Sequence, residues 1–186
     1  LARIGGAAGD EVALIEIYGP ISDAGNTIPL GNAVTSNSNF IIKSIRQARK
    51  DGVKAMLVHI NSPGGTVAAS QSIYDELMRT RDETDMKIVA SFGDVAASGG
   101  YYVASAAHHI VANPGSLTGS IGVIVRTQDI SSLLGKIGVD VSNIKSGEYK
   151  DILSPFREIT PEERNILQQI VETSYEQFLD VVVTGR

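Results

Sequence analysis

The chain has 186 residues, a net charge of −5, 42% apolar residues and no cysteine or tryptophan. This length suits one domain of ordinary size, and the apolar and charged fractions exclude a disordered chain. The mild negative charge, without a basic block, argues against a nucleic-acid partner. Without cysteine there is no disulfide, thiolate zinc site or cysteine nucleophile, so any covalent chemistry falls to Ser, Thr, Lys, Asp, Glu, Tyr or His.

The two ends of the chain suggest a piece of a longer protein. Residues 1–10 contain no long apolar stretch and are predicted as a frayed lead-in rather than a signal peptide. No segment approaches the roughly 18 uninterrupted apolar residues of a membrane span. We expect a single domain over 1–186. Because the chain starts at Leu1 rather than Met and stops just after an apolar run, we expect it to be a piece of a longer protein, in which an upstream transmembrane helix stays open.

The predicted elements alternate between strands and helices. Residues 20–37 are rich in Gly, Asn, Ser, Thr and Pro and are predicted as a loop, and Gly93-Asp94 is predicted as a turn. A capping box at Thr160–Glu163 starts the last helix. This alternation predicts an α/β fold with a largely parallel sheet. The predicted strands are 11–18, 55–60, 87–92, 110–112, 121–125 and 139–144, and the predicted helices are 39–50, 66–81, 96–107, 131–137 and 161–183.

The first candidate site is the turn Ser62-Pro63-Gly64-Gly65, which follows a predicted buried strand. Two adjacent glycines let the backbone approach a ligand closely and expose their N–H groups. Near a helix N-terminus such groups can stabilise an anion or a developing oxyanion. On its own, the motif favours an ordinary strand-to-helix turn.

The second candidate is Ser98, flanked by the small residues Ala97 and Gly99 after another predicted strand. A serine at such a junction exposes its hydroxyl, as a nucleophile on a sharp turn requires. The motif differs from G-x-S-x-G, since Ala96 stands at the first glycine position. An N-cap serine on a helix packed through small residues is equally compatible.

A nucleophilic serine needs a base. The three histidines, His59, His108 and His109, lie in or beside predicted strands and are predicted to be structural. A lysine can take the role where burial favours its neutral form, and Lys150, in the loop 145–151, is the candidate. Its local sequence alone favours a solvated loop lysine.

Four stretches together carry a resemblance to signal peptide peptidase A of the half-length type, which covers nearly the whole chain. They occur in the order and spacing typical of that family: INSPGG (60–65), GDVAASGGYYVA (93–104), VANPGSLTGSIGV (111–123) and SGEYKDILSPFREIT (146–160). The resemblance implies a Clp protease/crotonase-like fold and a serine endopeptidase with a Ser–Lys dyad. Ser98 would be the nucleophile and Lys150 the general base.

The same resemblance assigns supporting roles. Ser120 would hydrogen-bond the lysine amine, Gly65 and Gly99 would supply oxyanion-hole amides, and Gly64 would shape the turn. No metal, nucleotide or organic cofactor is expected. The local departure at His108-His109 does not touch these positions.

The resemblance also implies the biological setting. The expected substrates are signal-peptide remnants in or at the cell membrane, with the catalytic domain on the extracytoplasmic side and no nucleic acid involved. A homo-oligomer with active sites near its subunit interfaces is expected, with Lys150 acting either within its own subunit or across an interface. Membrane attachment would come from a segment outside this chain.

Three alternatives stay open. The first is a stomatin-type Ser–Lys protease that cleaves a membrane protein. The second is a crotonase-like acyl-CoA enzyme, for which Asp94 and Glu148 are the nearest acid/base candidates. The third is a non-catalytic membrane scaffold.

Overall fold

The computed structural model describes residues 2–4, 11–23 and 36–186. The chain divides into two compact units, which we call unit 1 (Leu1–Gly122 with Gln177–Arg186) and unit 2 (Val123–Glu176). That both belong to one catalytic domain over 1–186 stays a prediction. The strands are β1 (Ala2–Ile4), β2 (Val12–Tyr18), β3 (Ile21–Ser22), β4 (Ser36–Asn37), β5 (Ala55–Ser62), β6 (Lys87–Ala97), β7 (His109–Val111) and β8 (Leu117–Gly119). The helices are α1 (Ser38–Lys50), α2 (Val67–Glu83), α3 (Gly99–Ala104), α4 (Ser131–Lys136) and α5 (Pro161–Gly185).

A mostly parallel sheet forms the centre of unit 1. Its strand order is β1-β2-β5-β6-β7, and β8 pairs with the end of β6. Only β1 is antiparallel to its neighbour, whereas β2, β5, β6, β7 and β8 pair in parallel. Parallel neighbours need a crossover, which α2 provides between β5 and β6, and α3 between β6 and β7. The predicted α/β fold, with a largely parallel sheet flanked by helices, is confirmed.

The core of unit 1 lies between this sheet and the helices. Residues of β5 alternate between buried and half-buried, so the strand buries one face more than the other. Asn37 caps α1 by accepting a hydrogen bond from the Phe40 amide. Three of these elements contribute three buried residues each to the core and β6 contributes four: Ala13, Ile15 and Ile17 of β2; Ile41, Ile45 and Ala48 of α1; Met56, Val58 and Ile60 of β5; Ile88, Ala90, Phe92 and Ala96 of β6.

The strand β6 corrects two predictions. It continues to Ala97, so Gly93-Asp94 is not a turn and α3 begins at Gly99 rather than residue 96. The pairing of β5 with β6 shifts register between Ile60 and Ser62, so β6 contains a bulge at this point and continues beyond it.

Two short strands were also missed. Residues 2–4, predicted as part of a frayed lead-in, form β1, and residues 117–119 form β8. Both have only 3 residues, too few for a periodic pattern to be visible. Of the predicted loop 20–37, β3 and β4 form a short parallel pair, and residues 24–35 lie outside the described residues.

The two strands predicted at 121–125 and 139–144 do not form. Residues 120–130 and 139–144 have no regular secondary structure, whereas α4 and α5 form close to the predicted positions. A strand needs a neighbour for its backbone hydrogen bonds and a surface for its apolar face. Ile124 and Ile144 have no such surface, since they are 80% and 106% exposed.

The last helix starts as predicted. The Glu163 amide donates to Thr160 Oγ1 at 3.2 Å, and the Thr160 amide donates to Glu163 Oε2 at 3.0 Å, which confirms the capping box. Near its other end, Phe178 packs against the Tyr102 ring. In the parts of the chain that the structure describes, no helix combines the length and apolar content of a membrane span.

Candidate functional site

Ser98 lies between the end of β6 and the first residue of α3, as a strand–turn–helix nucleophile requires. Its backbone has φ 52° and ψ −122°, a conformation that residues with a Cβ rarely adopt. Two hydrogen bonds hold it there: the Ser98 amide donates to Gly119 O at 2.8 Å, and Ser98 O accepts from the Tyr102 amide at 2.9 Å. Such strain is concentrated at functional sites, so the local geometry favours a chemical role over a simple cap.

The glycine turn follows β5 in the same sheet. The side chain of Ser62 is fully buried, and its Oγ accepts from the Gly64 amide at 3.1 Å. Gly64 has φ +100°, which only glycine adopts without strain. Ile21 of β3 bonds to the turn on both sides of Gly65: its amide donates to Gly64 O and its carbonyl accepts from the Thr66 amide, each at 2.9 Å.

This turn lies directly against Ser98. A Cβ added to Gly64 would stand 2.8 Å from Ser98 Cβ and 2.6 Å from the Gly99 nitrogen. A Cβ added to Gly99 would stand 3.2 Å from the Gly65 nitrogen. The glycines are therefore required here by close approach, and the backbone nitrogens of Gly65 and Gly99 lie near one another beside the serine.

Neither of those two amides has an acceptor among the described residues. The bridge between Ile21 and Gly65 is formed by the Gly64 carbonyl and the Thr66 amide, so the Gly65 N–H takes no part in it. Gly99 is the first residue of α3, where the helix offers no partner for its N–H. Two unpaired N–H groups beside a serine hydroxyl are the donors that an oxyanion hole needs.

Ser120 lies next to Ser98 at the edge of the sheet. In the parallel pairing of β6 with β8, Ala97 is opposite Gly119, so both serines follow paired residues. Neighbouring strands are about 4.8 Å apart, which brings the two backbones side by side. Ser120 also has a positive φ, of 55°. No sequence signal marks either serine for this conformation.

Two residues that support the site were not recognised in the sequence. Ser70 of α2 is buried, and its Oγ would stand 2.3 Å from a Cβ on Gly99. Asn61 locks the bulge of β6, because its Oδ1 accepts from the Val95 amide at 3.1 Å and its side chain leaves room only for glycine at position 93. Both side chains lie against the backbone of a distant segment, which a single sequence does not reveal.

None of the three histidines shares a hydrogen bond or a ring contact with Ser98. His108 Nδ1 accepts from the Ile88 amide at 3.0 Å, a structural role that agrees with the prediction. Burial lowers the pKa of His108, and the nearby charges of Arg81 and Lys87 add to the effect. The His59 ring packs against Tyr18, with centroids 5.6 Å apart. His109 is exposed in β7.

Lys150 belongs to unit 2, where it is exposed in a run of turns between Gly147 and Leu153. Its amide donates to Gly147 O at 3.2 Å. The amine has no hydrogen bond or ion pair within 123–176, all of which the structure describes.

The two alternative acid/base candidates belong to different units of the chain. Asp94 lies in the bulged part of β6 in unit 1, and Glu148 lies in the loop of unit 2. Among the described residues, no three His, Asp or Glu side chains form a group that could hold a metal ion.

Comparison with known proteins places this chain among peptidases. The profile of peptidase family S49 matches residues 80–186, and that of the NfeD1b N-terminal domain matches residues 25–132. A Synechocystis sp. protein named as a protease is 43% identical over 95% of this chain, which covers 58% of that protein. An Enterococcus faecium protein named as signal peptide peptidase SppA is 34% identical over 97% of this chain, which covers 52% of it.

Two further matches agree with this. Protease 4 of Salmonella typhi is 36% identical over 96% of this chain, which spans only 28% of that longer protein. Among solved structures, a membrane-bound stomatin-specific protease in complex with a substrate peptide matches with a TM-score of 0.50 and 20% identity, over 66% of this chain and 50% of its own. This likeness concerns the fold alone. The profile match over more than half of the chain, with the SppA and protease 4 similarity over nearly all of it, means that the chain belongs to peptidase family S49 and is of the signal peptide peptidase A type.

Proposed function

We propose that this chain is the catalytic part of a serine endopeptidase in which Ser98 attacks the substrate and Lys150 is the general base. The observation that carries the proposal is the pair of unpaired amides, of Gly65 and Gly99, beside a serine held in a strained conformation. The family match supports a peptidase, and the motif around Lys150 supplies the base.

The reaction follows from these groups. Neutral Lys150 accepts the proton of Ser98 Oγ, which forms a bond to the peptide carbonyl carbon. The Gly65 and Gly99 amides donate to the resulting oxyanion, a contribution of about 3 kcal/mol per donor. Lys150 then gives its proton to the amine as the C–N bond breaks. Water then hydrolyses the acyl-enzyme, with Lys150 again accepting a proton. Ser120 orients the Lys150 amine throughout.

The proposed substrates are signal-peptide remnants at the cell membrane, cleaved on its extracytoplasmic side. The support is the similarity to the protein named signal peptide peptidase SppA, of which this chain covers 52%. Membrane attachment would come from outside this chain. A second candidate is a stomatin-type protease, because a matching solved structure is that of a membrane-bound stomatin-specific protease, a likeness of fold at 20% identity.

A homo-oligomer is part of the proposal. Residues 123–176, all of them described, contribute no apolar side chain to the buried core. Several of the apolar residues in this range are instead exposed: Ile124 80%, Leu133 58%, Ile137 66% and Ile144 106%. Exposed apolar surface of this kind marks an interface, and further copies of this chain are the proposed occupants.

The test is hydrolysis of a fluorogenic apolar peptide by wild type, Ser98→Ala and Lys150→Ala. Each variant is expected to lower kcat by at least about 10³-fold, because nucleophile and base act as a unit. Ser72→Ala and Lys136→Ala are matched controls, since both side chains are exposed, on α2 and α4. Wild-type activity in either dyad variant would sink the mechanism.

The same assay separates the alternatives. A higher kcat/KM for a stomatin-derived peptide than for a signal-peptide remnant would favour the second candidate. Acyl-CoA binding without peptide hydrolysis would favour a crotonase-like enzyme. Wild-type protein without any hydrolysis or acyl-CoA binding would favour a scaffold.

A further inference from the structure

The carboxylate of Asp151, the residue after Lys150, is saturated with hydrogen bonds. Its Oδ1 accepts from Lys145 Nζ at 2.6 Å and from Arg157 Nη2 at 2.8 Å. Its Oδ2 accepts from Asn143 Nδ2 at 3.1 Å and from Arg157 Nε at 3.2 Å. A carboxylate offers about four lone-pair sites, so these donors leave none for a further cation.

Arg157 anchors this carboxylate to the start of α5. Its guanidinium donates to both Asp151 oxygens and also pairs with Glu163, which is almost fully buried in the capping box. The planar fork of arginine suits such a double role, which a lysine cannot fill with the same geometry. The loop that carries Lys150 is therefore tied to a helix with a defined first turn.

Lys145 closes the other side of the loop. Its amine donates to Glu148 O at 2.8 Å as well as to Asp151. Residues 143–154 contain no helix or strand, so these polar contacts, with short turns, define the backbone around Lys150. Hydrogen bonds from Arg157, Lys145 and Asn143 hold the pKa of Asp151 well below its usual range, which keeps it ionised and bound to these donors.

We propose that Asp151 is a positioning residue for Lys150: the donors from Asn143, Lys145 and Arg157 occupy its carboxylate, which fixes the loop and leaves the Lys150 amine unpaired. A lysine beside an unoccupied carboxylate forms an ion pair that favours its protonated form and removes it as a base. This inference rests on the proposed role of Lys150.

The experiment measures kcat and KM of the full chain with the fluorogenic apolar peptide for Asp151→Asn, Lys145→Gln and Lys145→Arg. Asp151→Asn and Lys145→Gln are expected to lower kcat about tenfold to 100-fold, because misplacing a catalytic group by about 1 Å costs that much. KM is expected to stay within about twofold, since substrate binding is untouched. Lys145→Arg, which keeps the donors, is expected to recover most of kcat.

The matched control is Glu76→Gln. Glu76 is a buried carboxylate that is also held by arginines, in this case Arg46 and Arg49, but it joins α1 to α2. It is expected to lower Tm and leave kcat unchanged. A purely structural role for Asp151 would give the same pattern.

The outcomes are distinct. A folded Asp151→Asn or Lys145→Gln variant with wild-type kcat overturns this inference. If Asp151→Asn does not fold, the Lys145 pair decides, because that side chain is 32% exposed and outside the core. If Lys150→Ala is fully active, the proposed function itself fails; if Lys150→Ala is inactive while both loop variants are active, only the positioning role fails.

Discussion

The strained backbone of Ser98 is held in place by the fold rather than by its own preference. A residue with a Cβ at φ 52° costs on the order of 1–3 kcal/mol, which the hydrogen bonds to Gly119 and Tyr102 must offset. Gly64 fits against this serine because it has no side chain. The strained serine and the glycine turn thus depend on each other.

Gly64→Ala tests that dependence. The new Cβ would stand 2.6 Å from the Gly99 nitrogen and 2.8 Å from Ser98 Cβ, so the backbone must shift and displace an oxyanion donor. We expect kcat to fall about 100-fold, as when one donor is lost. Steady-state kinetics with the fluorogenic peptide would measure the effect.

Gly52→Ala is the matched control for that change. Gly52 also has a positive φ, +68°, but a Cβ there would have nothing within 4 Å. Both variants are expected to lose about 1–2 kcal/mol of stability from the left-handed backbone, while only Gly64→Ala loses activity. Equal kcat in the two variants would contradict the role of Gly64.

The sequence identified Ser98, Gly64 and Gly65 as candidates because small residues follow buried strands there. It did not indicate the backbone strain, since serine has no preference for positive φ. Nor did it indicate Ser70, whose contact with Gly99 joins segments far apart in the chain. Local chemistry was visible in the sequence, whereas contacts between distant backbones were not.

The secondary-structure elements were predictable where the periodic pattern was long. The helices α1, α2 and α5 formed within a few residues of their predicted ranges, because each has a repeating apolar face and clear ends. β6 was cut short at Phe92 because Gly93-Asp94 is a typical turn pair. In the structure, the Asn61 side chain instead occupies the space beside Gly93, and β6 forms a bulge there and continues.

The capping box of α5 predicts a pH dependence of stability. The Arg157 guanidinium and the Thr160 amide lower the pKa of Glu163 from 4.5 to about 2. Because the folded pKa lies below the unfolded one, the stabilisation is complete above pH 4.5 and is lost as pH falls toward 2. The Tm of wild type should therefore exceed that of Glu163→Gln at pH 7, and the gap should narrow by pH 2.5.

The control for this measurement is Glu162→Gln in the same helical turn. Glu162 is exposed, so its replacement should change Tm little at either pH. Thermal unfolding followed by circular dichroism at both pH values would give the four comparisons. A Tm gap between wild type and Glu163→Gln that is equal at pH 7 and pH 2.5 would contradict the assignment.

The two units differ in how they bury apolar residues. Unit 1 contains the buried cluster around the sheet, including Phe178 of α5. Unit 2 has a polar network around Asp151 and Arg157 but leaves Ile124 and Ile144 exposed. The segments 121–125 and 139–144, predicted as strands, are rich in apolar residues. We expect further copies of the chain to cover these residues.

Complementation between inactive variants tests whether that assembly shares its catalytic groups. If Lys150 acts across an interface, mixing Ser98→Ala with Lys150→Ala chains creates sites with one intact serine and one intact lysine. We expect activity to recover to a fraction of wild type after subunit exchange, measured with the fluorogenic peptide. Mixing either variant with the double variant Ser98→Ala/Lys150→Ala, at matched chain concentrations, is the negative control. With Lys150→Ala chains it leaves no intact lysine, and with Ser98→Ala chains no intact serine, so neither mixture should gain activity. Verified exchange without recovery in the first mixture would mean that each chain supplies its own lysine, and the exposed apolar residues of unit 2 would then serve assembly alone.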